Sequence, residues 1–547
     1  MLYRVLQVHP NDNVLVALQD LSAGEIVEYK GVSYLLKESI PAKHKFFMED
    51  LEEGDPIIMY GTLVGKTQYD VKVGSRMNTD NVKHAAAKYQ YRPYNYHWVA
   101  PNVHKFEGRT FNGYHRSDGN VGTANYWLFI PLVFCENRNL DVIREALHNE
   151  LGYAVTDKYK AKVHLLRELY ETGKDIKNAD LNIKESLVPV DRLFKNVDGI
   201  KFLNHQGGCG GIRQDSAVLS KLLAAYADHP NVAGVTVMSL GCQNLQVKDF
   251  LVDLKLRNPD FDKPIHVFEQ QGSLSEEQLI TDAIQKTFVS LIEVNKVTRQ
   301  SAPLSKLTIG VKCGGSDGFS GISANPAVGY CSDLLVALGG KVLLAEFPEL
   351  CGTEQNIIDR TVDEAAARKF ISLMTAYSDS AESVGSGFHM NPSPGNIKDG
   401  LITDAIKSNG AVKKGGTAPI VDVLDYTELA VKPGLNLVCT PGNDVEATTG
   451  KAASGATLIL FTTGLGTPTG NPVCPVIKVS SNSKLTRRMG DIIDIDCGPI
   501  ISGDKTIEEM GEEILEYCIR AASGEVIPKA VQLNQDDFIP WKRGISL

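Results

Sequence analysis

The chain has 547 residues, of which 43% are hydrophobic and 22% charged, and its 56 cationic and 66 anionic side chains give a net charge of −10. This length exceeds what one hydrophobic core supports, so two or three domains are expected. The negative charge argues against nucleic acids and anionic membranes as partners. The apolar runs are too short to span a bilayer, and the N-terminus has no apolar signal core. We therefore expect a cytoplasmic protein whose ten cysteines are reduced.

Residues 1–83 are predicted to form a small β module, because short β-prone runs such as Val14–Leu18 are separated by glycines and no amphipathic helix interrupts them. Residues 84–105 then hold four tyrosines and Trp98. This composition indicates an extended linker whose rings pack on a neighbouring domain. An aromatic platform for nucleic acid is the alternative, but the segment lacks the basic surround that such a platform needs.

Beyond the linker, apolar runs alternate with polar, glycine-rich loops, and helical segments lie between several of them. This alternation predicts a mainly parallel α/β body in two parts, residues 106–300 and residues 301–547. The carboxyl ends of parallel strands share one edge of a sheet, so the loops that follow them are expected to converge. Three of the helices have predicted N-caps, at Ser275, Thr361 and Thr506.

The most distinctive loop is Gly310–Gly329, GVKCGGSDGFSGISANPAVG, which follows an apolar run. It combines Lys312, Cys313 and Asp317 with glycines that let backbone N–H groups approach a ligand. Loops of this kind at strand ends bind ligands in open α/β sheets. A tight turn with a buried cysteine is the alternative. Nucleotide binding is disfavoured, because the chain has no GxxxxGK[ST] motif.

Three cysteines occupy similar positions, since Cys209, Cys242 and Cys313 each follow a predicted strand and lie beside glycine. One sheet edge could gather all three thiols, and soft thiolate ligands favour iron–sulfur clusters or zinc. Buried structural cysteines are the alternative interpretation. Cys331 and Cys518, by contrast, lie in apolar surroundings and are expected in the core.

Several of these stretches together resemble the altronate/galactarate dehydratases, which also share sequence with sulfolactate sulfo-lyases. The likeness covers essentially the whole chain, and it implies that the N-terminal module is a β-clip "SAF" module and that residues 301–547 are catalytic. The matching stretches are GYHRSDGNVGTANY at 113–126, Gly-Cys-Gly at 208–210, Gly241–Cys242, the glycine-rich loop at 310–329, and the segments at 392–416 and 461–479.

The resemblance implies a hydro-lyase that removes water from a hexonate, with D-altronate the preferred substrate and 2-keto-3-deoxygluconate the product. It implies Fe(II) or Mn(II) as cofactor and a small anionic sugar acid as partner, and a homo-oligomer is left open. The alternatives are a galactarate or other hydroxy-acid dehydratase or lyase of the same family, or a non-catalytic sugar-acid-binding paralogue. Asp80, Gln355 and Leu465 depart from the family motifs, where histidine, histidine and arginine are usual, and they motivate the last alternative.

Dehydration of a 2,3-dihydroxy acid begins with loss of the C2 proton, and the negative charge that develops on the carboxylate needs cations or a metal. A base takes that proton, and an acid protonates the C3 hydroxyl as it leaves. The predicted catalytic residues are Lys312, His205 and Asp317. The predicted substrate-binding residues are Gly314, Gly315, Ser316, Asn325, Thr463 and Lys478. The predicted ligands of an iron–sulfur cluster are Cys209, Cys242 and Cys313, and the alternative ligands of a single Fe(II) include His205 and Glu346.

Overall fold

The computed structural model describes residues 4–154, 158–182 and 191–543 of the chain.

The N-terminal module is built from short antiparallel strands. The strands of the module are β1 (Val5–Leu6), β2 (Val14–Ala17), β3 (Ile26–Tyr29), β4 (Val32–Leu35), β5 (Lys45–Phe47), β6 (Pro56–Met59), β7 (Thr62–Thr67) and β8 (Val82–Lys83). They pair in the orders β1-β2-β5, β3-β4 and β6-β7-β8. The turn between β3 and β4 places Lys30 and Gly31 at positive φ, as tight hairpins require.

The first part of the body holds a four-stranded parallel sheet in the order β12-β11-β13-β14 and a three-stranded antiparallel sheet in the order β10-β9-β15. Its strands are β9 (Thr110–His115), β10 (Val121–Gly122), β11 (Tyr126–Pro131), β12 (Gly199–Phe202), β13 (Val232–Ser239), β14 (Ile265–Glu269) and β15 (Gln300–Pro303). Its helices are α1 (Asn137–Leu151), α2 (Lys158–Glu171), α3 (Arg213–Asp228), α4 (Val247–Arg257) and α5 (Glu276–Val294).

The second part holds a seven-stranded parallel sheet in the order β18-β19-β17-β16-β20-β21-β22. Its strands are β16 (Thr308–Cys313), β17 (Lys341–Ala345), β18 (Ile420–Leu424), β19 (Gly434–Val438), β20 (Leu458–Thr463), β21 (Val476–Ser480) and β22 (Ile495–Asp496). Its helices are α6 (Ala324–Ala337), α7 (Glu354–Arg360), α8 (Glu364–Glu382), α9 (Pro394–Lys398), α10 (Asp404–Val412), α11 (Asp444–Ala453), α12 (Ser483–Arg488), α13 (Gly498–Ser502), α14 (Ile507–Ala522) and α15 (Lys529–Gln532).

Both faces of the large sheet are covered, so β16, β17 and β20 are almost entirely buried, as parallel strands usually are. α6 and α14 pack together over one face. On the other face the core includes side chains of α3, α11 and the four-stranded sheet, such as Leu128 and Tyr226 beside Ile459. Cys331 and Cys518 are buried in the first of these cores, which confirms their predicted place.

The fold class predicted from the sequence is confirmed: a β module precedes a two-part, mainly parallel α/β body. Residues 84–103 form no helix or strand, and the rings of Tyr89, Tyr91 and Trp98 pack against the core of the second part. No helix among the described residues is both long enough and apolar enough to cross a membrane.

Two of the three predicted helix caps are confirmed. Ser275 accepts a hydrogen bond from the Gln278 N–H at the start of α5, and Thr506 caps α14. The prediction for Thr361 is wrong, because the cap of α8 is Asp363. Thr361 instead follows the end of α7 and forms a β-bridge with Ile420.

Candidate active site

The order of the large sheet creates a topological switch point at β16. The chain runs from β16 to β17 on one side, continues through β18 and β19, and then returns to β20 on the other side of β16. Ligands of open α/β sheets bind in the crevice that such a reversal leaves at the carboxyl ends of the strands. Lys312 and Cys313 end β16, and Glu346 directly follows β17, so these side chains lie at that edge.

Glu346 is surrounded by lysines. Lys312 Nζ donates a hydrogen bond to Glu346 Oε1 and lies 3.0 Å from Asp444 Oδ1. Lys414 Nζ lies 3.4 Å from Glu346 Oε2, and Lys451 Nζ lies 3.8 Å from the same oxygen. The side chains of Glu346, Lys312 and Lys451 are completely buried. Buried charges persist only when they are paired in this way.

A second set of contacts continues from Cys313. Lys414 Nζ lies 2.6 Å from Cys313 Sγ, and the thiol donates to Glu349 Oε2 at 3.3 Å. Lys407 Nζ lies 2.9 Å from Glu349 Oε1 and donates to Asn391 Oδ1 at 2.7 Å. We call Lys312, Cys313, Glu346, Glu349, Lys407, Lys414, Asp444 and Lys451 the lysine–carboxylate cluster. Its four lysines outnumber its three carboxylates, which favours an anionic ligand.

Burial and pairing shift the pKa values of the cluster in opposite directions. Burial lowers the pKa of Lys312, but Glu346 and Asp444 outweigh that effect and hold it well above its usual value. Burial lowers the pKa of Lys451 to about 8, and Lys451 Nζ has no hydrogen-bond partner. Burial, together with Glu349, raises the pKa of the Cys313 thiol to about 11. At neutral pH Lys312 is therefore an ammonium ion and Cys313 a thiol.

Glu346 adopts a backbone conformation that non-glycine residues seldom occupy. Its φ is 75° and its ψ is 63°, in the left-handed region. The Glu346 N–H donates to Thr440 Oγ1 at 3.1 Å, which helps to hold this conformation. Strained residues of this kind concentrate at functional sites, where the surrounding structure keeps them in place. In this conformation the carboxylate of Glu346 lies between the lysines.

The N-terminal module reaches the loop that follows β16. Lys43 Nζ lies 3.0 Å from Asp317 Oδ2 and 3.0 Å from Asp399 Oδ1. Lys45, which is completely buried, donates from Nζ to the Gly400 carbonyl at 2.5 Å. Since Asp317 is also completely buried, the module completes the surroundings of this loop rather than resting on its surface.

Comparison with known proteins identifies the family. Residues 3–85 match the altronate/galactarate dehydratase SAF domain, residues 113–295 the second domain of D-galactarate dehydratase/altronate hydrolase, and residues 304–546 the C-terminal domain of D-galactarate/altronate dehydratase. Altronate dehydratases of Bacillus subtilis (strain 168) and Escherichia coli (strain K12) are 33% and 31% identical to this chain, each over 99% of both chains. The chain belongs to the altronate/galactarate dehydratase family. Galactarate dehydratase (L-threo-forming) of Escherichia coli (strain K12) is 32% identical over 95% of this chain and 93% of the relative.

These matches confirm the predicted resemblance, the SAF module and the assignment as a hydro-lyase. Of the predicted catalytic residues, the structure brings Lys312 into the lysine–carboxylate cluster and Asp317 into the loop beside it. His205 lies after β12, in the other sheet, with both ring nitrogens bonded to the backbone. Its Nε2 lies 2.8 Å from the Pro131 carbonyl, and its Nδ1 accepts from the Gly207 N–H at 3.0 Å. Burial lowers the pKa of His205 to about 4, so the ring is neutral.

Several predicted substrate-binding groups of this dehydratase already have protein partners. The Gly314 N–H donates to the Thr462 carbonyl at 3.0 Å. Asn325 donates to the Gly410 carbonyl at 2.9 Å and accepts from Thr462 Oγ1 at 2.6 Å. The Ser316 carbonyl accepts from Asn396 Nδ2 at 2.8 Å.

The remaining three predicted groups lie around the segment that follows β20. Thr463 Oγ1 accepts from the Gly466 N–H at 3.0 Å, which shapes the turn after β20. Lys478 donates to the Thr469 carbonyl and lies 4.0 Å from the centre of the Phe461 ring. Gly315, at a φ of 57°, lies at the turn next to this segment.

The predicted cysteine set is divided between the two sheets. Cys209 and Cys242 are exposed, and Cys209 lines a cavity of about 320 Å³ with His205 and Phe538. Cys313 is buried in the large sheet. A single ion bound by three thiolates would lie about 2.3 Å from each sulfur. No group of three metal-ligating atoms within 4.8 Å among the described residues joins these three cysteines or contains His205.

Cys313, Glu346 and Glu349 do offer three ligand atoms within 4.8 Å of one another. However, Lys312, Lys414 and Lys407 already contact these three side chains. A metal ion at this place would face ammonium groups, so the group fits a divalent metal poorly.

Sequence reasoning missed five members of the cluster: Glu349, which lies three residues after the predicted Glu346, and four residues from more distant parts of the chain. Lys407 and Lys414 lie within the stretch 392–416, which resembles the family but follows no predicted strand. Asp444 and Lys451 lie on α11, and nothing in their neighbours along the chain marks Lys451 as buried or Asp444 as its half-buried neighbour in the cluster. For Lys407 and Lys414 the one signal in the sequence was that they lie, seven residues apart, in the stretch 392–416 that resembles the family.

Proposed function

We propose that this enzyme removes water from D-altronate and gives 2-keto-3-deoxygluconate. The observation that carries the proposal is the cation-rich, buried lysine–carboxylate cluster at the switch point of the large sheet. The full-length likeness to two altronate dehydratases, at 33% and 31% identity, supports a hexonate as substrate. Galactarate is the less favoured alternative, supported by the relative that is 32% identical.

The cluster supplies what the first step needs. Removal of the C2 proton makes an enediolate, whose charge is stabilised by fixed cations in a site without water. Lys312 and Lys414 serve this role as ammonium ions. Glu346 and Asp444 raise the pKa of Lys312, and Cys313, followed by Glu346 and Glu349, raises the pKa of Lys414. The backbone N–H groups of Gly315 and Ser316 face the anionic end of the substrate in this proposal, as an anion-binding turn.

The base in this proposal is Lys451. Lys312 is too strongly protonated for the role, and the ring of His205 is held by the backbone. Lys451 is the cluster lysine whose pKa is lowered, to about 8, and a lysine tuned by burial in this way is a competent general base. Lys407 supplies the proton to the leaving hydroxyl in this proposal. Its side chain is 10% exposed, whereas those of the other three lysines are at most 1% exposed, so Lys407 is the cluster lysine most accessible to solvent protons.

Asp317 has a positioning role in this proposal. It holds the loop after β16 by accepting from the Ser320 N–H at 2.9 Å and from Ser481 Oγ at 2.8 Å, and it pairs with Lys43. Asn325, Thr463 and Lys478 contact sugar hydroxyls in this proposal. Each then exchanges its present hydrogen bond within the protein for one to the substrate.

A bound Fe(II) or Mn(II) would supply a Lewis acid for the substrate carboxylate and hydroxyl. The poor fit of a metal beside Lys312 and Lys414 favours a different group of ligands. An iron–sulfur cluster on Cys209, Cys242 and Cys313 stays a prediction, because the ligand sulfurs of a cluster lie further apart than those of a single ion.

A substrate screen tests the proposal. Altronate, galactarate, mannonate and gluconate are incubated with the full-length enzyme under anaerobic conditions with Fe(II) or Mn(II), and 2-keto acid is measured. We expect turnover of altronate and a loss of about 10²-fold or more in Lys414→Met. Turnover of galactarate alone would replace the substrate. Binding of altronate without turnover would favour the sugar-acid-binding paralogue, which the departures at Asp80, Gln355 and Leu465 motivate.

A further inference from the structure

A second group of metal-ligating side chains lies where the N-terminal module meets the body. His84 directly follows β8, Cys351 lies between β17 and α7, and Asp404 begins α10. Their ligand atoms, an imidazole nitrogen, a thiol sulfur and a carboxylate oxygen, all lie within 4.8 Å of one another. Three separate elements thus bring three different ligand types to one point.

Polar atoms of this group lack partners within the protein. Asp404 is only 1% exposed, yet its Oδ2 is buried without a hydrogen-bond partner. His84 Nδ1 is also buried and unpartnered. An unpaired buried carboxylate is costly, and a bound cation removes that cost. In the described part of the chain no lysine, arginine or histidine forms an ion pair with Asp404, unlike the acids of the lysine–carboxylate cluster.

We propose that His84, Cys351 and Asp404 bind one divalent transition-metal ion of the Zn²⁺ or Fe²⁺ class. Imidazole, thiolate and carboxylate together suit such ions, and three protein ligands leave a position open for water or another ligand. Hard, oxygen-preferring ions such as Mg²⁺ are disfavoured by the thiol. His84 and Cys351 are half-buried, so the ion has a path to the site from solvent.

Binding at this site would release to solvent the Cys351 thiol proton and any proton held by the Asp404 carboxyl, since the thiolate and the carboxylate are the ligands. The ion would join the end of the module to the first turn of α10. That helix carries Lys407, whose Nζ lies 2.9 Å from Glu349 Oε1 in the lysine–carboxylate cluster. The inference goes beyond the proposed dehydration and does not depend on which sugar acid is the substrate.

Cobalt is the probe for the test, because thiolate-bound Co²⁺ has a charge-transfer band in the near ultraviolet. The full-length protein is stripped with a chelator and titrated with Co²⁺ and then with Zn²⁺. We expect one ion per chain, the charge-transfer band, and a melting temperature that rises when the metal is added. Cys351→Ser should lose the band, and Asp404→Asn should weaken binding more than about 100-fold, beyond what mutation of an outer partner costs.

Cys135→Ser is the matched control, since it removes an exposed thiol that belongs to no proposed metal site and should leave the titration unchanged. Cys313→Ser distinguishes this site from the group of Cys313, Glu346 and Glu349. The charge-transfer band of that variant should also be unchanged. His84→Gln provides a second variant, and equal melting of the metal-free proteins shows that each variant folds.

An unchanged band in Cys351→Ser, loss of the band in Cys313→Ser, or no binding of Co²⁺ or Zn²⁺ would each overturn the metal site. Because these measurements use no substrate, the metal site can fail while altronate is still turned over. Equally, the band can be present in a protein that turns over no hexonate.

Discussion

At the scale of single residues, the strained backbone of Glu346 and the three lysines around its carboxylate make one unit. Replacement of Lys312 by methionine keeps the length of the side chain but removes its charge. We expect Lys312→Met to lose turnover by about 10²-fold or more. Stability should fall by about 3–5 kcal/mol at most, the range for a broken buried pair, because Lys414 and Lys451 still face Glu346. Steady-state kinetics and urea unfolding measure the two effects.

Lys369→Met is the matched control for Lys312→Met, since Lys369 pairs with Glu428 at the surface and should change neither quantity much. Wild-type kcat/KM in Lys312→Met would show that this lysine is structural and has no part in stabilising the reacting anion.

Lys451 makes a separate prediction about pH. If it is the base, kcat/KM should rise as the pH increases through about 8, where the ammonium loses its proton. Lys451→Met should remove this rise and lower the rate by about 10²–10⁴-fold. Because the pKa is lowered from 10.5, the unfolded chain binds the proton more tightly. The cost to stability is therefore full below pH 8 and disappears as the pH approaches 10.5.

Thermal unfolding at pH 7 should thus show Lys451→Met to be no less stable than the wild type, although it is less active. A variant that loses stability and activity in proportion would contradict the assignment of the base.

Cysteine reactivity tests the surroundings of Cys313. Its raised pKa, about 11, and its burial should keep the thiol unreactive towards iodoacetamide at pH 8. The exposed Cys135, Cys209 and Cys242 should be alkylated under the same conditions. Peptide mass spectrometry, with and without denaturant, follows each cysteine. Rapid alkylation of Cys313 in the folded protein would mean that the thiolate forms there.

The sequence predicted this part of the site only partly, and the reason is physical. Lys312 and Glu346 could be found because each lies at the end of an apolar run. Such a run identifies a buried strand in the sequence, and therefore also the position where the strand ends. Lys407 and Lys414 reach the same point from α10 and the turn after it, across 95 residues or more from Lys312. Such long-range contacts depend on strand order, and strand order is not encoded in any local pattern.

At the scale of elements, the segment that leads into β5 fits closely against the body. A Cβ on Gly400 would lie 2.5 Å from the Lys43 carbonyl oxygen, and the φ of Gly400 is +93°. Gly400→Ala should therefore cost on the order of 1–3 kcal/mol of stability and lower kcat/KM, because it displaces Lys43 and Lys45. Urea unfolding and kinetics measure both effects.

Gly395→Ala is the matched control. Gly395 lies on α9, and a Cβ there would have no heavy atom within 4 Å. The same substitution should be neutral or slightly stabilising at this place. Equal effects of the two substitutions would show that the contact between the module and the body is loose.

Helices and strands were the easier level to predict. Buried strands such as β17 and β19 could be located because parallel strands form continuous apolar runs. The cap of α8 was misplaced by two residues because Thr361 and Asp363 are both good capping residues. The choice between them depends on the bridge of Thr361 to Ile420, which is a tertiary contact.

At the scale of the whole molecule, the N-terminal module and the body share an apolar core. Val14, Phe47 and Met59 of the module pack with Phe319 and Ile406 of the body. A module joined only by a flexible linker would have no such core. The module should therefore stay attached to the body even when the chain between them is cut.

Limited trypsin digestion tests this expectation. Lys88 is exposed in a stretch without regular structure, so trypsin should cleave after it, within the predicted linker, residues 84–105. The two fragments should separate on a denaturing gel but elute together in gel filtration, because the shared core and the pairs of Lys43 with Asp317 and Asp399 hold them. The nicked enzyme should also keep its dehydratase activity. Elution of the module as a separate peak under native conditions would show that the linker, and not the shared core, keeps Lys43 and Lys45 at the site.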